Sequence, residues 1–481
     1  MKARINEEGD GFEDSNGREQ QQVVNDPQLT FTFHEDSGER GTRAGPGEEL
    51  QMPTALEKTQ ALTEQVMEQV VGRSNLNDAY RRVKTNKGSP GVDGMTTEGL
   101  YVWINRHREE LIGSLLDGSY QPQPVRRVEI PKPGGGMRKL GIPTVVDRLV
   151  QQAILQVLDP ILDPNFSESS YGFRRKRSAE QALKAAAGYV RDGRVIVVDL
   201  DLEQFFDRVN HDILMSRLAR RVADKRCLRI VRAYLTAGIM VNGVCMEQDE
   251  GTPQGGPLSP LLANLLLDDL DKELEKRGHR FCRYADDCNI YVQSKVAGER
   301  VMASVSQFLE QRLKLLVNRA KSAVAYCEKR KFLGYRLLAG GKLGLAPQSL
   351  KRIKDKVRRI TARNRGRSLS AIVQELNDIL PGWVNYFRHA AMKGHLLELD
   401  EWIRRKLRCY RLKQRKRGKS IGEYLETLGI PPQRARILAG SGKGWWALAH
   451  TPPIHEAMNG KWFEGLGLVN LSRHYAALLS H

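Results

Sequence analysis

The fold is constrained most by a run of apolar residues that ends in two aspartates. Residues 195–198 read Val-Ile-Val-Val and are followed by Asp199, Leu200 and Asp201. A continuous apolar run of this kind is typical of a strand that is buried on both faces of a sheet. Because side chains alternate along a strand, Asp199 and Asp201 are expected on the same side of it. The sequence therefore predicts two carboxylates at the end of a central strand.

A second apolar stretch brings a further pair of acids. Residues 281–292 read as two short strands joined at Asp286-Asp287, which predicts a hairpin with both acids at its tip. Asp-Asp alone is more often a solvated turn with ordinary surface acids. Adjacent carboxylates repel, however, and a bound divalent cation would offset that repulsion. Together with the strand at 195–201, the pair favours a site for the two Mg²⁺ ions, roughly 3.5–4 Å apart, that phosphoryl transfer uses.

Composition divides the chain into segments. Residues 1–55 carry 12 acidic and 5 basic side chains and few large apolar ones, which is typical of a disordered tail. Helical periodicity begins near Leu56 and is broken by a glycine-containing loop at residues 87–94. Strand-like and helical runs alternate over residues 125–335, which predicts an α+β domain. Beyond Gln348 the pattern is almost wholly helical.

The charge balance indicates a polyanionic partner. The chain has 76 Lys and Arg against 57 Asp and Glu, a formal charge of +19, so it should attract polyanions and lose that attraction as salt rises. Residues 351–419 alone hold 21 basic and 6 acidic side chains beside several aromatic ones. Such a helical surface suits RNA, through phosphate neutralisation and base stacking, although a solvated helical face is the simpler interpretation.

Secretion, membrane insertion and zinc binding are not favoured. No stretch approaches the roughly 18 consecutive apolar residues of a membrane span, and the N-terminus lacks the apolar core of a signal peptide. The cysteines have no zinc-site spacing, so we expect reduced, mostly buried thiols. They are Cys227, Cys245, Cys282, Cys288, Cys327 and Cys409. A soluble, cytoplasmic protein is predicted.

At its two acidic stretches the sequence resembles the reverse transcriptases. Tyr284-Ala285-Asp286-Asp287 is similar to their Tyr-x-Asp-Asp box, and residues 201–207 are similar to their first catalytic-aspartate motif. Further blocks typical of the group II intron subfamily follow in the expected order over roughly residues 76–410. They are residues 87–95, 130–138, 140–144, 147–148, 171–174, 251–260, 318–322 and 332–335, followed by the maturase signature at 382–387 and 399–405.

The resemblance implies a right-hand polymerase fold, with fingers and an antiparallel palm sheet followed by an α-helical thumb and maturase domain. The reverse transcriptase domain is expected at 56–345, with fingers at about 56–190 and palm at about 191–345. The thumb and maturase domain is expected at 346–420, and an appended segment at 421–481, for which DNA binding is one interpretation.

The resemblance also implies a catalytic set. Asp201, Asp286 and Asp287 are the expected catalytic carboxylates. With the Leu202 main-chain carbonyl they are expected to hold two Mg²⁺ ions, for which Mn²⁺ could substitute. Asp199 is the competitor of Asp201, and the family's spacing to the Phe pair at 205–206 selects Asp201.

Substrate contacts follow from the same resemblance. The nucleotide pocket is expected to contain Lys132, Arg138, Phe206, Gln254 and Lys321. Phe206 would block a ribose 2′-hydroxyl, and Lys321 would assist pyrophosphate departure. Contacts to nucleic acid are expected from Arg148, Arg174, Tyr284, Arg404 and Arg405.

The implied function is that of an RNA-directed DNA polymerase of a group II intron, which extends a DNA primer on intron RNA with deoxynucleoside triphosphates. The same chain would act as a maturase that helps the intron to splice and move, and would associate with the nucleoid during DNA targeting. The alternatives are a reverse transcriptase of a retron, diversity-generating or CRISPR-associated system, or a maturase acting only as an RNA-binding splicing factor. No Cys and His pattern of a metal-dependent nuclease is present, so no second-strand cleavage is expected. The oligomeric state, dimer included, is left open.

Overall fold

The computed structural model describes residues 63–131, 137–241, 244–246, 250–252, 255–416 and 418–480. The acidic tail predicted at 1–55 lies outside these residues. Helices and strands are interleaved up to residue 345, and the described residues beyond it are helical or in loops. This arrangement confirms the α+β class predicted from the sequence.

The elements are numbered here in chain order. The helices of the first part are α1 (Val66–Val71), α2 (Arg73–Asn86), α3 (Leu100–Asp117), α4 (Val145–Leu162), α5 (Ala179–Arg191), α6 (His211–Ala219), α7 (Lys225–Thr236), α8 (Ser259–Lys276) and α9 (Lys295–Phe308). The strands are β1 (Val125–Pro131), β2 (Met137–Ile142), β3 (Ile196–Leu200), β4 (Ile239–Val241), β5 (Val244–Met246), β6 (Arg280–Tyr284), β7 (Asp287–Val292), β8 (Ala323–Tyr326), β9 (Tyr335–Leu337) and β10 (Leu343–Leu345). The helices of the second part are α10 (Pro347–Ile360), α11 (Leu369–Asn377), α12 (Leu380–Tyr386), α13 (Lys393–Arg415), α14 (Gly418–Thr427), α15 (Pro432–Ala439), α16 (Trp445–Leu448), α17 (Pro452–Ala457), α18 (Gly460–Gly465) and α19 (Leu471–Leu479).

The palm sheet, defined here by the strand order β6-β7-β3-β8, is antiparallel throughout. Strand β3 lies between β7 and β8, and its side chains Ile196, Val197, Val198 and Leu200 are buried. The apolar run therefore forms the central strand that its composition predicts, because only a strand covered on both faces excludes water from consecutive side chains.

Helix α4 follows strand β2 of the finger sheet, which is defined here by the strand order β2-β1-β4-β5. Thr144 caps the start of α4 by accepting a hydrogen bond from the Asp147 main-chain nitrogen at 3.1 Å. The buried Asp147 carboxylate in turn accepts from the Tyr120 hydroxyl at 2.8 Å. The Asp147 position of the 147–148 block thus anchors the fold, since a buried carboxylate must be hydrogen-bonded.

The helical second part shares one hydrophobic core with the palm. This core runs from α5 and the palm strands through Tyr335 and Val357 to Leu407 on α13 and Leu471 on α19. Asp400 of α13 caps α19 by accepting from the Leu471 main-chain nitrogen at 3.0 Å. The segment beyond residue 420 therefore packs directly against α13.

Local predictions made from residue chemistry are also met. Helix α2 ends at Asn86, and Lys87 has a left-handed φ of 44°, where the loop at 87–94 was expected to begin. All six cysteines are free thiols, and only Cys245 is exposed. Among the helices of the described residues, none combines the length and the apolar character that crossing a membrane requires.

Candidate active site

Strand register brings the two acidic stretches to one end of the palm sheet. In the β3–β7 pair, Leu200 lies opposite Cys288, so Asp201 leaves β3 at the end where Asp287 begins β7. The β6–β7 hairpin closes with Tyr284 opposite Asp287. Its two turn residues are therefore Ala285 and Asp286, whereas the sequence predicted Asp286 and Asp287 at the tip. The hairpin itself is present as predicted.

The turn is supported from below by the 171–174 block. Ala285 has a left-handed φ of 59°. A Cβ on Gly172 would lie 2.3 Å from the Ala285 main-chain nitrogen and 2.9 Å from the Tyr284 carbonyl carbon. Only glycine permits this approach, so Gly172 allows its own backbone to pack directly against the turn.

The aspartate carboxylates at this end of the palm sheet repel one another. Burial raises the pKa of Asp286, and the negative charge of Asp201 raises it further. Burial, followed by the charges of Asp286, Asp199 and Asp201, raises the pKa of Asp287 to about 6. Several carboxylates thus share a region in which their ionised forms are disfavoured, and a cation between them would relieve that cost.

The two aspartates of β3 have different partners. Asp199 forms an ion pair with Arg330 at 2.6 Å, which offsets part of the effect of its burial. Asp201 has a looser neighbour, Lys321, whose Nζ lies 3.7 Å from Oδ1. The Asp199 carboxylate is engaged within the protein, which favours Asp201 as the residue that is free to bind a ligand.

The 318–322 block holds the Asp201 main chain. The Asn318 main-chain nitrogen donates to the Asp201 carbonyl at 2.8 Å. The Asp201 main-chain nitrogen donates to the Ser322 hydroxyl at 3.0 Å. The block therefore fixes the backbone from which the Asp201 side chain extends and also carries Lys321.

A cleft of about 1110 Å³ opens at this end of the sheet. Asp201 and Asp287 line it, whereas Asp286 is half-buried in the turn beside them. Within the described residues, no three His, Cys, Asp or Glu side chains already surround a point for a metal ion. Mg²⁺ takes one or two carboxylates from a protein and completes its shell with water and substrate phosphate. The mutual repulsion of the aspartates is the observation that favours a cation here.

The structure describes only some of the residues that are expected in the nucleotide pocket. Lys132 and Gln254 lie outside the described residues. Arg138 is exposed on β2, lines the cleft and lowers the pKa of Asp286 through its charge, although burial dominates that pKa. The half-buried Phe206 packs edge-on against the buried Phe205, with ring centroids 5.1 Å apart.

The expectation that Arg174 contacts nucleic acid needs correction. Its side chain is only 4% exposed. The guanidinium donates to the Asp163 carboxylate at 2.6 Å and to the carbonyls of Ser167 and Ser170 at 2.5 and 3.0 Å. Because these acceptors already engage it inside the protein, Arg174 has a structural role.

The other expected contacts to nucleic acid occupy mixed positions. Arg148 is half-buried and donates to the Ser89 carbonyl at 2.9 Å, so it also holds the 87–95 block. Tyr284 is half-buried and packs against the shared core. Arg404 and Arg405 lie on α13, and Arg405 stacks over the Trp446 ring at 4.0 Å.

Arg405 belongs to a cluster that we call the basic–aromatic surface. Its members come from α10, the loop after it, α13 and α16, and they are Arg358, Arg363, Trp402, Arg405, Lys406, Trp445 and Trp446. Lys406 lies 5.5 Å from the Trp402 ring and 5.3 Å from the Trp446 ring. Burial, followed by the positive charges of Arg358 and Arg363, lowers the pKa of Lys406. Like charges are therefore gathered here around indole rings.

Sequence reasoning missed several residues that line the cleft. The 332–335 block forms a tight turn in which Leu333 and Gly334 have φ values of 50° and 84°, and both line the cleft. The Tyr386 hydroxyl donates to the Leu333 carbonyl at 2.9 Å. Arg330 and Arg352 also line the cleft. The basic run Lys329-Arg330-Lys331, directly before the block, was the feature of the sequence that could have indicated this part of the cleft.

An antiparallel palm whose aspartates meet beside a basic cleft defines a template-directed nucleic-acid polymerase. A family model for reverse transcriptase (RNA-dependent DNA polymerase) matches residues 130–337. A model for the group II intron maturase-specific domain matches residues 350–426. The chain belongs to the group II intron reverse transcriptase and maturase family.

Three relatives illustrate the range of similarity. The chain is 34% identical over 305 residues to Protein YkfC of Escherichia coli (strain K12), covering 55% of this chain and 80% of that protein. It is 35% identical over 261 residues to group II intron-encoded protein LtrA of Lactococcus lactis subsp. cremoris, covering 53% of this chain and 42% of LtrA. It is 32% identical over 255 residues to the putative COX1/OXI3 intron 1 protein of Saccharomyces cerevisiae, covering 50% of this chain and 29% of that protein.

Proposed function

We propose that this chain copies an RNA template into DNA, with Asp201, Asp286 and Asp287 as its catalytic carboxylates. The observation that carries the proposal is the meeting of Asp201 with the Asp286-Asp287 hairpin at one end of the palm sheet. The raised pKa of Asp287, about 6, supports a cation site. The substrates would be deoxynucleoside triphosphates and a DNA primer paired to RNA.

The carboxylates of Asp201, Asp286 and Asp287, with the Leu202 carbonyl, would hold two Mg²⁺ ions, or Mn²⁺ in their place. Such ions, when bound, activate the primer 3′-hydroxyl and stabilise charge on the departing pyrophosphate. Arg138 from the finger sheet would neutralise the triphosphate, and Lys321 would act on the pyrophosphate side. Both are cations that border the cleft.

Three further residues complete the proposed nucleotide pocket. The Phe206 ring, held edge-on by Phe205, would exclude a ribose 2′-hydroxyl. Lys132 would add a second charge to the triphosphate grip, and Gln254 would contact the nucleotide, both as the family resemblance implies. Arg148 and Tyr284 would contact the template or primer strand.

The basic–aromatic surface would be the principal RNA grip of the maturase part. Phosphates attract clustered cations, and indole rings offer faces for unpaired bases. Arg404 and Arg405 of α13 would contribute to it. Because LtrA is a group II intron-encoded protein, we propose that the RNA is a group II intron, whose splicing and mobility the bound chain would promote.

The remaining assignments are proposed on the same basis. Fingers and palm would occupy 56–345, thumb and maturase 346–420, and the segment at 421–481 would contact target DNA. The protein would work in the bacterial cytoplasm and associate with the nucleoid during DNA targeting.

The polymerase proposal is tested by primer extension on a homopolymer RNA template with Mg²⁺. The Asp286→Ala/Asp287→Ala variant should lose activity while it keeps its affinity for RNA. Asp212→Ala is the matched control, because that carboxylate is 82% exposed and pairs with the surface residue Arg232. Undiminished incorporation by the double variant would refute the site.

The alternatives predict different outcomes. A maturase that acts only as an RNA-binding splicing factor would lack extension activity in the wild type but retain RNA binding. A retron, diversity-generating or CRISPR-associated enzyme would co-purify with RNA that contains no group II intron. The extension assay separates the first case from the proposal, and sequencing the RNA bound to the protein separates the second.

A further inference from the structure

A buried ion pair lies directly behind the catalytic hairpin. Arg283 of β6 and Asp271 of α8 are both 0% exposed, and Nη2 of Arg283 lies 2.6 Å from Oδ2 of Asp271. Desolvating two charges is costly, so a buried pair is often no more stabilising than apolar side chains of similar volume. The position of this pair suggests a role other than stability.

The Arg283 guanidinium donates hydrogen bonds to four residues. Nε donates to the Asp271 carboxylate at 2.7 Å, Nη2 to the Ser170 hydroxyl at 2.8 Å, and Nη1 to both the Asn264 side-chain oxygen and the Ala285 carbonyl at 2.9 Å. The planar fork of arginine suits several fixed acceptors at once, whereas lysine presents a single flexible point charge.

The bond to Ala285 acts on the catalytic turn itself. The Ala285 carbonyl belongs to the peptide that leads into Asp286, and Ala285 has a left-handed φ of 59°, which is unfavourable for a residue with a Cβ. A hydrogen bond to this carbonyl fixes the plane of the peptide and therefore the direction in which the Asp286 side chain leaves the turn.

The same network holds the support beneath the turn. Asn264, which accepts from Arg283, donates through Nδ2 to the Gly172 carbonyl at 2.9 Å. Gly172 lies in direct contact with Ala285. The turn and the block below it are thus both tied to α8, whose first residue, Ser259, belongs to the 251–260 block.

We propose that Arg283 is a positioning residue for DNA synthesis. Its fork ties the Ala285–Asp286 peptide to α8 and holds Asp286 where it can share cations with Asp201. This inference rests on the proposed function, and it assigns to Arg283 a role in the geometry of the site without contact to the substrate.

The test replaces both partners of the ion pair. In Arg283→Met/Asp271→Leu no unpaired buried charge remains, so the thermal midpoint should fall less than in Arg283→Met, which leaves the Asp271 carboxylate buried without its partner. Loss of the bond to Ala285 should lower kcat for primer extension on the order of 10²-fold, the effect of about 1 Å of misplacement. The Mg²⁺ concentration for half-maximal rate should rise, while the affinity for RNA stays unchanged.

Two further variants separate positioning from stability. Arg283→Lys keeps the charge opposite Asp271 but loses the fork, so its kcat should fall and its Mg²⁺ requirement should rise as in the double variant. Arg408→Met is the control, because Arg408 is 4% exposed and donates to the Met458 carbonyl at 2.9 Å in the helical part. That control should lower the thermal midpoint and leave the Mg²⁺ requirement unchanged.

The outcomes are distinguishable. An active wild type with an equally active double variant overturns the positioning role alone. A double variant that does not fold leaves the decision to Arg283→Lys, in which wild-type kcat and Mg²⁺ requirement would overturn the role. A wild type without polymerase activity overturns the proposed function and this inference with it.

Discussion

The end of the palm sheet where the aspartates meet gathers negative charges, whereas the basic–aromatic surface gathers positive ones. At the palm, Asp201, Asp286 and Asp287 meet at strand ends, and the pKa of Asp287 reaches about 6. On the helical part, Lys406 lies among arginines and tryptophans, and its pKa is lowered. Both regions therefore hold charges of one sign close together.

The difference between them lies in how each is built. The aspartates are fixed by strand register and by a buried network, which suits small cations that need defined geometry. The basic side chains are long, and they stack on indole rings across α13 and α16, which suits a large polyanion of variable shape. The aspartates are therefore suited to catalysis and the basic–aromatic surface to RNA binding. Variants in one region should leave the activity of the other unchanged.

The largest expected effect is on catalysis. Asp201→Asn keeps the volume of the side chain but removes its charge, so kcat for DNA synthesis should fall about 10³-fold or more, since metal stabilisation of the transition state is worth several kcal/mol. RNA affinity, measured by filter binding, should remain that of the wild type. A parallel loss of both properties would contradict the separation of the two regions.

A smaller effect is expected at the basic–aromatic surface. Arg405→Ala/Lys406→Ala removes two cations, so RNA affinity should fall severalfold and the slope of log affinity against log salt should decrease by about two. Extension of a short primed template at saturating concentration should persist. Lys184→Ala/Lys295→Ala is the control, because it removes two exposed lysines from α5 and α9 and should change RNA binding less.

The smallest effect is on stability in the absence of metal. The pKa of Asp287 is raised from 3.8 to about 6 in the folded chain, so the native state binds more protons than the unfolded state between these values. The contribution of Asp287 to stability should therefore fall as pH rises from about 4 to about 6. In EDTA, Asp287→Asn should have a higher thermal midpoint than the wild type above pH 6, and the gap should close as the pH is lowered. A gap that widens on acidification would contradict the electrostatic account.

Sequence patterns predicted those parts of the site that depend on local chemistry. The apolar run at 195–198 and the two short strand-like stretches within 281–292 were sufficient to place a central strand and a hairpin, because such runs are a property of neighbouring residues. The family's spacing to the Phe pair at 205–206 placed Asp201 ahead of Asp199. The pairing of Asp199 with Arg330 gives that choice a physical reason.

Features that depend on distant partners were not predictable in this way. Arg174 was expected to contact nucleic acid because the family resemblance implied it, yet Asp163 and two carbonyls bind it inside the protein. The exact turn of the hairpin depends on the close approach of Gly172 to Ala285. The fork of Arg283 depends on Asn264 and Asp271 of α8. Which acceptor a buried cation finds is decided by tertiary packing, and no local pattern records it.

The central claim is that the aspartates of two distant stretches share divalent cations. Its most direct test is to count Mn²⁺ ions bound to the chain in complex with an RNA template, a DNA primer and a non-hydrolysable deoxynucleoside triphosphate, by electron paramagnetic resonance. The wild type should bind two ions tightly, and Asp201→Asn should lose at least one of them with the nucleic acid still bound. Equal occupancy in the wild type and in an Asp201→Asn/Asp286→Asn variant would contradict it.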